Sequence, residues 1–444
     1  MKLLFLDIYK KSSSRISKDT AGGYGTENDL GDNFFGKILS KIVKNSIFWP
    51  NLSFVQLMEE FDFRGHQCKY LKTTGENFEL DEKYDFIFVC SSIVCFETEI
   101  EICKKLLKNS KLFLCGTVGT FLTHLIPDEI TLISGNYEFL PEQLDNSKSN
   151  LYNLKNEKFI NVLKGNPDNL NIINWKSKNL PKTKNYLLGN SRYFFPFIST
   201  RGCPYSCREY CTYPTTQGRK IILESNETVS NKLFKISKKF PKSHIVFRDP
   251  VFSINIKYTK NLLKKIGDLR LDLSFSAELH LKNIDDELIE LFKYANFTGL
   301  KFGIESAHKN VRDHVNRFSI DNDEQVKIIK KLNKNKIKTV GMFILAQPND
   351  TTDSCLSTIN YACSLNLNIA QFSIFTPYPG TPYYEKGNFV KNFKKFEECN
   401  QYNLTYDHPT ISKKEARFLL EKAYKEFIFS KIKYFFTAQN LFQK

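Results

Sequence analysis

Short apolar runs recur through the first third of the chain, each followed by small or polar residues and then by apolar positions three and four apart. Residues 2–8 (Lys-Leu-Leu-Phe-Leu-Asp-Ile), 85–90, 112–115 and 130–134 read as strands, and residues 34–43, 54–64 and 97–107 as amphipathic helices. Continuous apolar strands alternating with helices predict a doubly wound parallel sheet over residues 1–145. The strands run into Ser91-Ser92, Gly116-Thr117 and Gly135-Asn136-Tyr137-Glu138, and a glycine-rich loop, Thr20-Ala-Gly-Gly-Tyr-Gly-Thr26, follows the first. The carboxyl ends of parallel strands are where an open sheet receives its ligand. Several such ends in one sheet, with the glycine loop, predict a binding site there.

Residues 146–190 break this pattern. They are rich in Asn, Lys and Ser, and Gly165-Asn166-Pro167-Asp168 and Leu180-Pro181 interrupt any periodicity, so the stretch reads as a linker. Over residues 191–385 alternation resumes with a longer period. Strands are expected at 195–199, 244–247, 272–275, 299–302, 339–345 and 370–375, with helices at 229–239, 258–266, 286–294, 323–334 and 354–365. Strand-then-helix repetition on this scale predicts a partial or full parallel barrel. Residues 386–444 are charged and helical in pattern, with Ser412-Lys-Lys-Glu415 reading as a capping box ahead of a helix at 416–431.

Length and composition narrow the picture. A chain of 444 residues is too long for one typical domain, and 41% hydrophobic content suffices for two or three cores. The longest apolar stretch, residues 84–96, is interrupted by Asp and Ser and falls short of the ~20 residues a membrane-crossing helix needs, so no span is expected. The net charge of +16 is dispersed, with lysines such as Lys327, Lys330, Lys331 and Lys334 on expected helix faces. That reads as a solvated surface, and a nucleic-acid partner is not expected. Eleven cysteines at irregular intervals and an amino terminus without a signal-peptide pattern predict a reduced, cytoplasmic protein.

Three of those cysteines stand apart. Cys203-Pro-Tyr-Ser-Cys207-Arg-Glu-Tyr-Cys211 follows Arg201-Gly202 and offers three thiolates from one short loop, as an iron-sulfur cluster requires. Three ligands leave one iron of a four-iron cluster open to a small molecule. A structural zinc ion would need a fourth Cys or a His at short spacing, yet the nearest His is His244 and no C-x2-C pair exists. Cys68, Cys90, Cys95, Cys103, Cys115, Cys355, Cys363 and Cys399 are scattered, several in apolar runs, and read as packing residues.

With the cysteine loop placed after the first strand of a barrel, the chain resembles the radical S-adenosylmethionine enzymes that carry an amino-terminal cobalamin-binding domain. The family's C-x3-C-x2-C loop is approximated by Cys203, Cys207 and Cys211, with an aromatic, Tyr210, before the last cysteine. Val246-Phe-Arg-Asp-Pro-Val-Phe252, Leu300-Lys-Phe-Gly-Ile-Glu-Ser306 and Pro377-Tyr-Pro-Gly-Thr381 follow in the family's order, so the likeness spans roughly residues 195–385. Two features depart from it. The loop carries one extra residue, C-x3-C-x3-C, which Arg208-Glu209 is expected to absorb, and the turn after the fifth strand, Ala346-Gln347-Pro348-Asn349-Asp350-Thr351, lacks the usual glycines. No D-x-H-x2-G surrounds any histidine, so the lower axial histidine of other corrinoid proteins is missing.

The resemblance implies an α/β protein with a Rossmann-like cobalamin-binding domain (1–145), a linker (146–190), a partial (β/α)6 radical SAM barrel (191–385) and a helical carboxyl-terminal extension (386–444). It implies a [4Fe-4S] cluster on Cys203, Cys207 and Cys211, S-adenosylmethionine chelated to the open iron, and cobalamin over the first sheet. It also implies an electron donor such as a flavodoxin or ferredoxin, and a small-molecule substrate. A 5′-deoxyadenosyl radical would activate the substrate, and methylcobalamin would methylate an unactivated carbon or a phosphorus. For S-adenosylmethionine the implied contacts are Tyr210 near adenine, Asp249 to the ammonium, Glu305 and Ser306 to the ribose, and Arg317 to the carboxylate. Glu278 and His280 touch substrate or line the barrel. For cobalamin they are Ser91, Ser92, Gly116, Thr117, Gly135 and Glu138. Other readings stay open: a radical enzyme performing ring contraction, cyclisation or oxidation without methyl transfer, an RNA-modifying enzyme, or a corrinoid-binding protein without catalysis.

Overall fold

A computed structural model describes residues 1–45, 49–75, 78–108, 110–162, 165–175, 193–205, 207, 209–387 and 393–442. Its first sheet contains six parallel strands, β1 (Lys2–Ile8), β2 (Gln67–Thr73), β3 (Phe86–Cys90), β4 (Lys111–Cys115), β5 (Thr131–Gly135) and β6 (Phe159–Val162), in the order β2-β1-β3-β4-β5-β6. Consecutive residues bury on opposite faces: Phe5, Phe88 and Phe113 stack across β1, β3 and β4 at 4.9 and 5.0 Å between ring centres, while Leu4, Ile87 and Leu112 fill the other side. Both faces are therefore covered, as a parallel sheet requires. Helices α1 (Phe34–Lys44) and α2 (Leu52–Phe63) start at Asn33 and Asn51, whose side chains accept from Gly36 N and Phe54 N.

Two strands of this sheet were not expected. β2 alternates half-exposed polar and buried apolar residues at the sheet edge, and β6 lies inside the stretch read as a linker yet pairs with β5, Leu132 opposite Phe159 through Gly135 opposite Val162. An edge strand needs only one apolar face, so neither carries the continuous run of the central strands. The first sheet thus extends to residue 162, and Leu180-Pro181 lies outside the described residues.

The second sheet is a curled half-barrel of six parallel strands in chain order: β7 (Phe194–Phe197), β8 (Ser243–Phe247), β9 (Leu273–Leu279), β10 (Phe297–Glu305), β11 (Lys338–Leu345) and β12 (Ile369–Ile374). Helices α3 (Asn226–Lys239), α4 (Ile256–Asp268), α5 (Asp286–Tyr294), α6 (Asn322–Lys334) and α7 (Thr352–Ser364) bury their apolar stripes on its outer face. The long α8 (Lys413–Phe442) covers the last strand, where the Tyr424 hydroxyl donates to Phe372 O at 2.9 Å. Its start is the expected capping box: Glu415 N donates to Ser412 Oγ and Ser412 N to Glu415 Oε2. Of the other cysteines, Cys90 and Cys115 sit fully buried in the first sheet and Cys355 on α7.

Candidate active site

The cysteine loop is anchored at its base. β7 leads into Ser199 and Thr200, whose backbone N–H groups donate to Asp249 Oδ1 at 2.7 and 2.9 Å while Ser199 Oγ donates to Oδ2 at 2.7 Å. Thr200 and Arg201 then pair with Leu223 and Ile222. Gly202 follows with φ 80°, where a Cβ would lie 2.0 Å from Lys220 O, so only glycine fits the turn into Cys203. Cys211 N donates to Cys207 O at 3.2 Å, one helical turn that brings the two thiols together. Arg208, expected to share in absorbing the extra residue, lies outside the described residues.

Cys203 and Cys207 are buried and Cys211 half-buried. The hydrogen bond from Cys211, with Arg317 nearby, overcomes burial and holds the Cys207 thiol below its ordinary value, whereas burial raises Cys203 to about 11. Among the described residues no group of Cys, His, Asp and Glu converges as a single metal ion demands. A multi-iron cluster takes each thiolate on a separate iron, so three thiols from one short loop fit it.

Cys207 and Cys211 border an open cavity inside the half-barrel, together with Tyr210, Glu305 and Arg317. The register of β10 shifts between Gly303 and Glu305, and Glu305 takes φ 67°, which turns its carboxylate inward. Arg317 Nε lies 3.4 Å from Glu305 Oε1, Nη2 donates to Gly303 O at 3.0 Å, and Nη1 points to Cys207 Sγ at 3.9 Å. A Cβ on Gly303 would fall 2.3 Å from Glu305 Oε1, so the glycine makes room for this pair.

Farther along the cavity Glu278 bridges Arg248 Nη1 and Lys301 Nζ, each at 3.0 Å. Burial would raise its carboxyl, but Lys301 and Arg248 outweigh that and hold it at about 2. Burial, with Arg317, lowers His280 to about 4; Nδ1 accepts from Lys282 N and Nε2 donates to Phe318 O, so the neutral ring is fixed in one tautomer.

A second cleft opens over the carboxyl ends of the first sheet and is bordered by Ser91, Gly116, Thr117 and Gly135. Gly116 has φ 133° and a Cβ there would approach Ser91 O at 3.1 Å. Ser91 Oγ is buried without a hydrogen-bond partner among the described residues. An orphaned hydroxyl beside bare backbone suits a large ligand carrying amide groups, as a corrin does.

Four expected contacts are occupied elsewhere. Ser92 gives both N–H and Oγ to Glu99, whose carboxylate also holds the fully buried Lys18 at 2.8 Å. Glu138 pairs with Arg201 Nε at 2.7 Å. Asp249 is spent on Ser199 and Thr200, and Ser306 Oγ faces Thr358 Oγ1 and accepts from His308 N. Each sits at a strand end, as read from sequence, but points into the protein rather than into either cavity. Missed were Asp19 and Arg248, which meet at 3.0 Å between the two cavities.

Residues 197–362 match the Radical SAM superfamily. An uncharacterised methyltransferase of Pyrococcus horikoshii is 28% identical over 188 residues, 42% of this chain and 40% of its own length. Bacteriochlorophyllide d C-12(1)-methyltransferase of Chlorobaculum tepidum is 26% identical over 211 residues, 47% of this chain and 44% of its own. The chain thus spans less than half the length of these curated relatives. The radical S-adenosylmethionine methyltransferase TsrM of Kitasatospora setae, solved with cobalamin and a [4Fe-4S] cluster, superposes with a TM-score of 0.61 at 12% identity, covering 86% of this chain and 76% of that one. Residues 197–362 thus match the Radical SAM domain, and the fold of the chain as a whole is similar to that of TsrM.

Proposed function

We propose that this chain is a cobalamin-dependent radical methyltransferase acting on an unactivated carbon, or a phosphorus, of a small molecule. Cys203, Cys207 and Cys211 would hold a [4Fe-4S] cluster, the barrel cavity S-adenosylmethionine and substrate, and the cleft over the first sheet the corrin. When bound, these groups supply one-electron cleavage of a carbon–sulfur bond and a transferable methyl group. The observation that carries the reading is the position of the cysteine loop, which faces a half-barrel cavity lying next to a second cleft built of glycine and serine strand ends.

The chain's own residues bind and orient. Arg317 presents a planar fork to a carboxylate, Glu305 offers acceptors to hydroxyl or ammonium groups, and the Tyr210 ring borders the same space. Asp249 acts one step back, fixing the Ser199–Thr200 turn from which the cysteine loop springs. The ion pairs Glu278–Lys301 and Glu305–Arg317 leave the cavity nearly balanced in charge, which supports a neutral or zwitterionic substrate. An external reductant is required, and a flavodoxin or ferredoxin in the cytoplasm would serve. Among the described residues no helix is long and apolar enough to cross a membrane.

The experiment is anaerobic reconstitution with iron, sulfide and hydroxocobalamin, followed by incubation with methyl-deuterated S-adenosylmethionine, a reductant and candidate small molecules. Formation of 5′-deoxyadenosine with a deuterated methyl group in the product supports the reading. 5′-Deoxyadenosine with an unmethylated product replaces it by cyclisation, ring contraction or oxidation.

A further inference from the structure

The barrel cavity and the cleft over the first sheet share a wall. Residues 19–26 turn Asp19, Gly22, Gly23 and Tyr24 toward the cleft, and Thr20, Ala21 and Thr26 toward the cavity. From the barrel side, Tyr213 and Arg248 border both spaces. Arg248 grips the loop twice, through Nε to Asp19 Oδ2 at 3.0 Å and Nη2 to Asp19 O at 2.7 Å, and its third bond reaches Glu278 on β9. Both members of the pair are nearly buried, with side chains 9% and 10% exposed.

Within the loop Gly23 N and Gly25 N donate to Thr20 O, each at 3.0 Å, and Tyr24 N donates to Ala21 O at 3.1 Å. Ala21, Gly22, Gly23 and Gly25 take φ of 48°, 60°, 94° and 86°, a left-handed path whose seat between the two spaces is set by contacts on both sides. Thr212 Oγ1 donates to Ala21 O at 2.6 Å, and a Cβ on Gly22 would lie 2.8 Å from Thr216 Oγ1, so the fit against the residues following Cys211 is close. A ligand filling either space touches this wall, and any displacement of the wall reshapes the other space.

We propose that residues 19–26, with Arg248 as their positioning residue, couple the two sites, so that a corrinoid in the cleft and S-adenosylmethionine in the cavity change each other's affinity. This coupling rests on the occupants assigned under the proposed function. Linkage makes the effect equal in both directions.

The test titrates hydroxocobalamin into the anaerobically reconstituted full chain, followed by visible absorbance, with and without saturating S-adenosylmethionine. The expected change in Kd is about fivefold or more, mirrored by the same factor in the Kd of S-adenosylmethionine when hydroxocobalamin is present. In Arg248→Met the factor falls below about twofold, whatever the affinity of the variant for each ligand alone. Hydrogen exchange on the unaltered chain supplies a readout independent of any variant's folding: amides of residues 19–26 slow when either ligand is added alone. Two bound ligands without mutual effect, an Arg248→Met chain that keeps the full factor, or slowing by one ligand only would overturn the coupling and leave the proposed function standing. If the chain binds neither ligand, both fall together.

Discussion

Arg201 Nε donates to Glu138 Oε1 at 2.7 Å, tying the end of the first sheet to the turn that leads into the cysteine loop. Both side chains are almost wholly buried, at 5% and 2% exposed, and Arg201 Nη1 makes no hydrogen bond among the described residues. Removing one member of such a pair strands the other charge in a dry interior, at a cost of about 3–5 kcal/mol. Glu138→Ala should therefore lower stability by that order in chemical denaturation. A loss below about 1 kcal/mol, as exposed pairs show, would mean that water reaches Arg201.

Asp249 supplies a pH signature. Burial raises its carboxyl to about 6 from an ordinary 3.8, despite hydrogen bonds from Ser199 and Thr200. In the window between those values the folded chain holds a proton that the unfolded chain has released. The contribution to stability is thus fully present below about 4 and is lost as pH rises through about 6. Asp249→Asn keeps an acceptor and cannot titrate. The stability of the unaltered chain relative to this variant should decline by roughly 2–3 kcal/mol between pH 4 and 7. A difference that stays flat would show that the carboxyl is charged throughout.

Ser91 separates binding from folding. Its Oγ makes no hydrogen bond among the described residues, so Ser91→Ala should leave the melting temperature nearly unchanged. Hydroxocobalamin affinity should fall by about fivefold, the worth of one hydrogen bond. Unchanged affinity would place the corrin elsewhere than over this strand end.

Arg317→Met should retain its iron but bind S-adenosylmethionine about tenfold to a hundredfold more weakly, because a charge-assisted fork is lost. Isothermal titration of the reconstituted chain measures this. Unchanged affinity would leave Arg317 as only a partner of Glu305, from which it lies 3.4 Å.

Much of the architecture was legible because it is written in contiguous residues. The central strands are unbroken apolar runs, and the three cysteines lie on one loop. What could not be read depends on distant partners. Lys18 sits in a polar stretch, yet it is fully buried because Asp7 and Glu99 converge on it from two elements of the first sheet unit. β2 and β6 bury too few residues to stand out as edge strands. Asp249, Ser306, Ser92 and Glu138 were correctly placed at strand ends, but position does not say which way a side chain turns, and in each case a neighbouring donor or acceptor claimed it. Arg248, one residue before Asp249, is the charged group that reaches the cavities, and no local pattern distinguishes the two.

The central claim is that Cys203, Cys207 and Cys211 hold a cluster with one open iron. It is tested most directly by iron and sulfide analysis with electron paramagnetic resonance on the anaerobically reconstituted chain. About four irons and four sulfides per chain are expected, with a reduced-cluster signal that S-adenosylmethionine alters, and loss of both in a Cys203/Cys207/Cys211→Ala chain. A reconstituted, folded chain that takes up no iron, or a triple variant that takes up as much as the parent, would contradict it.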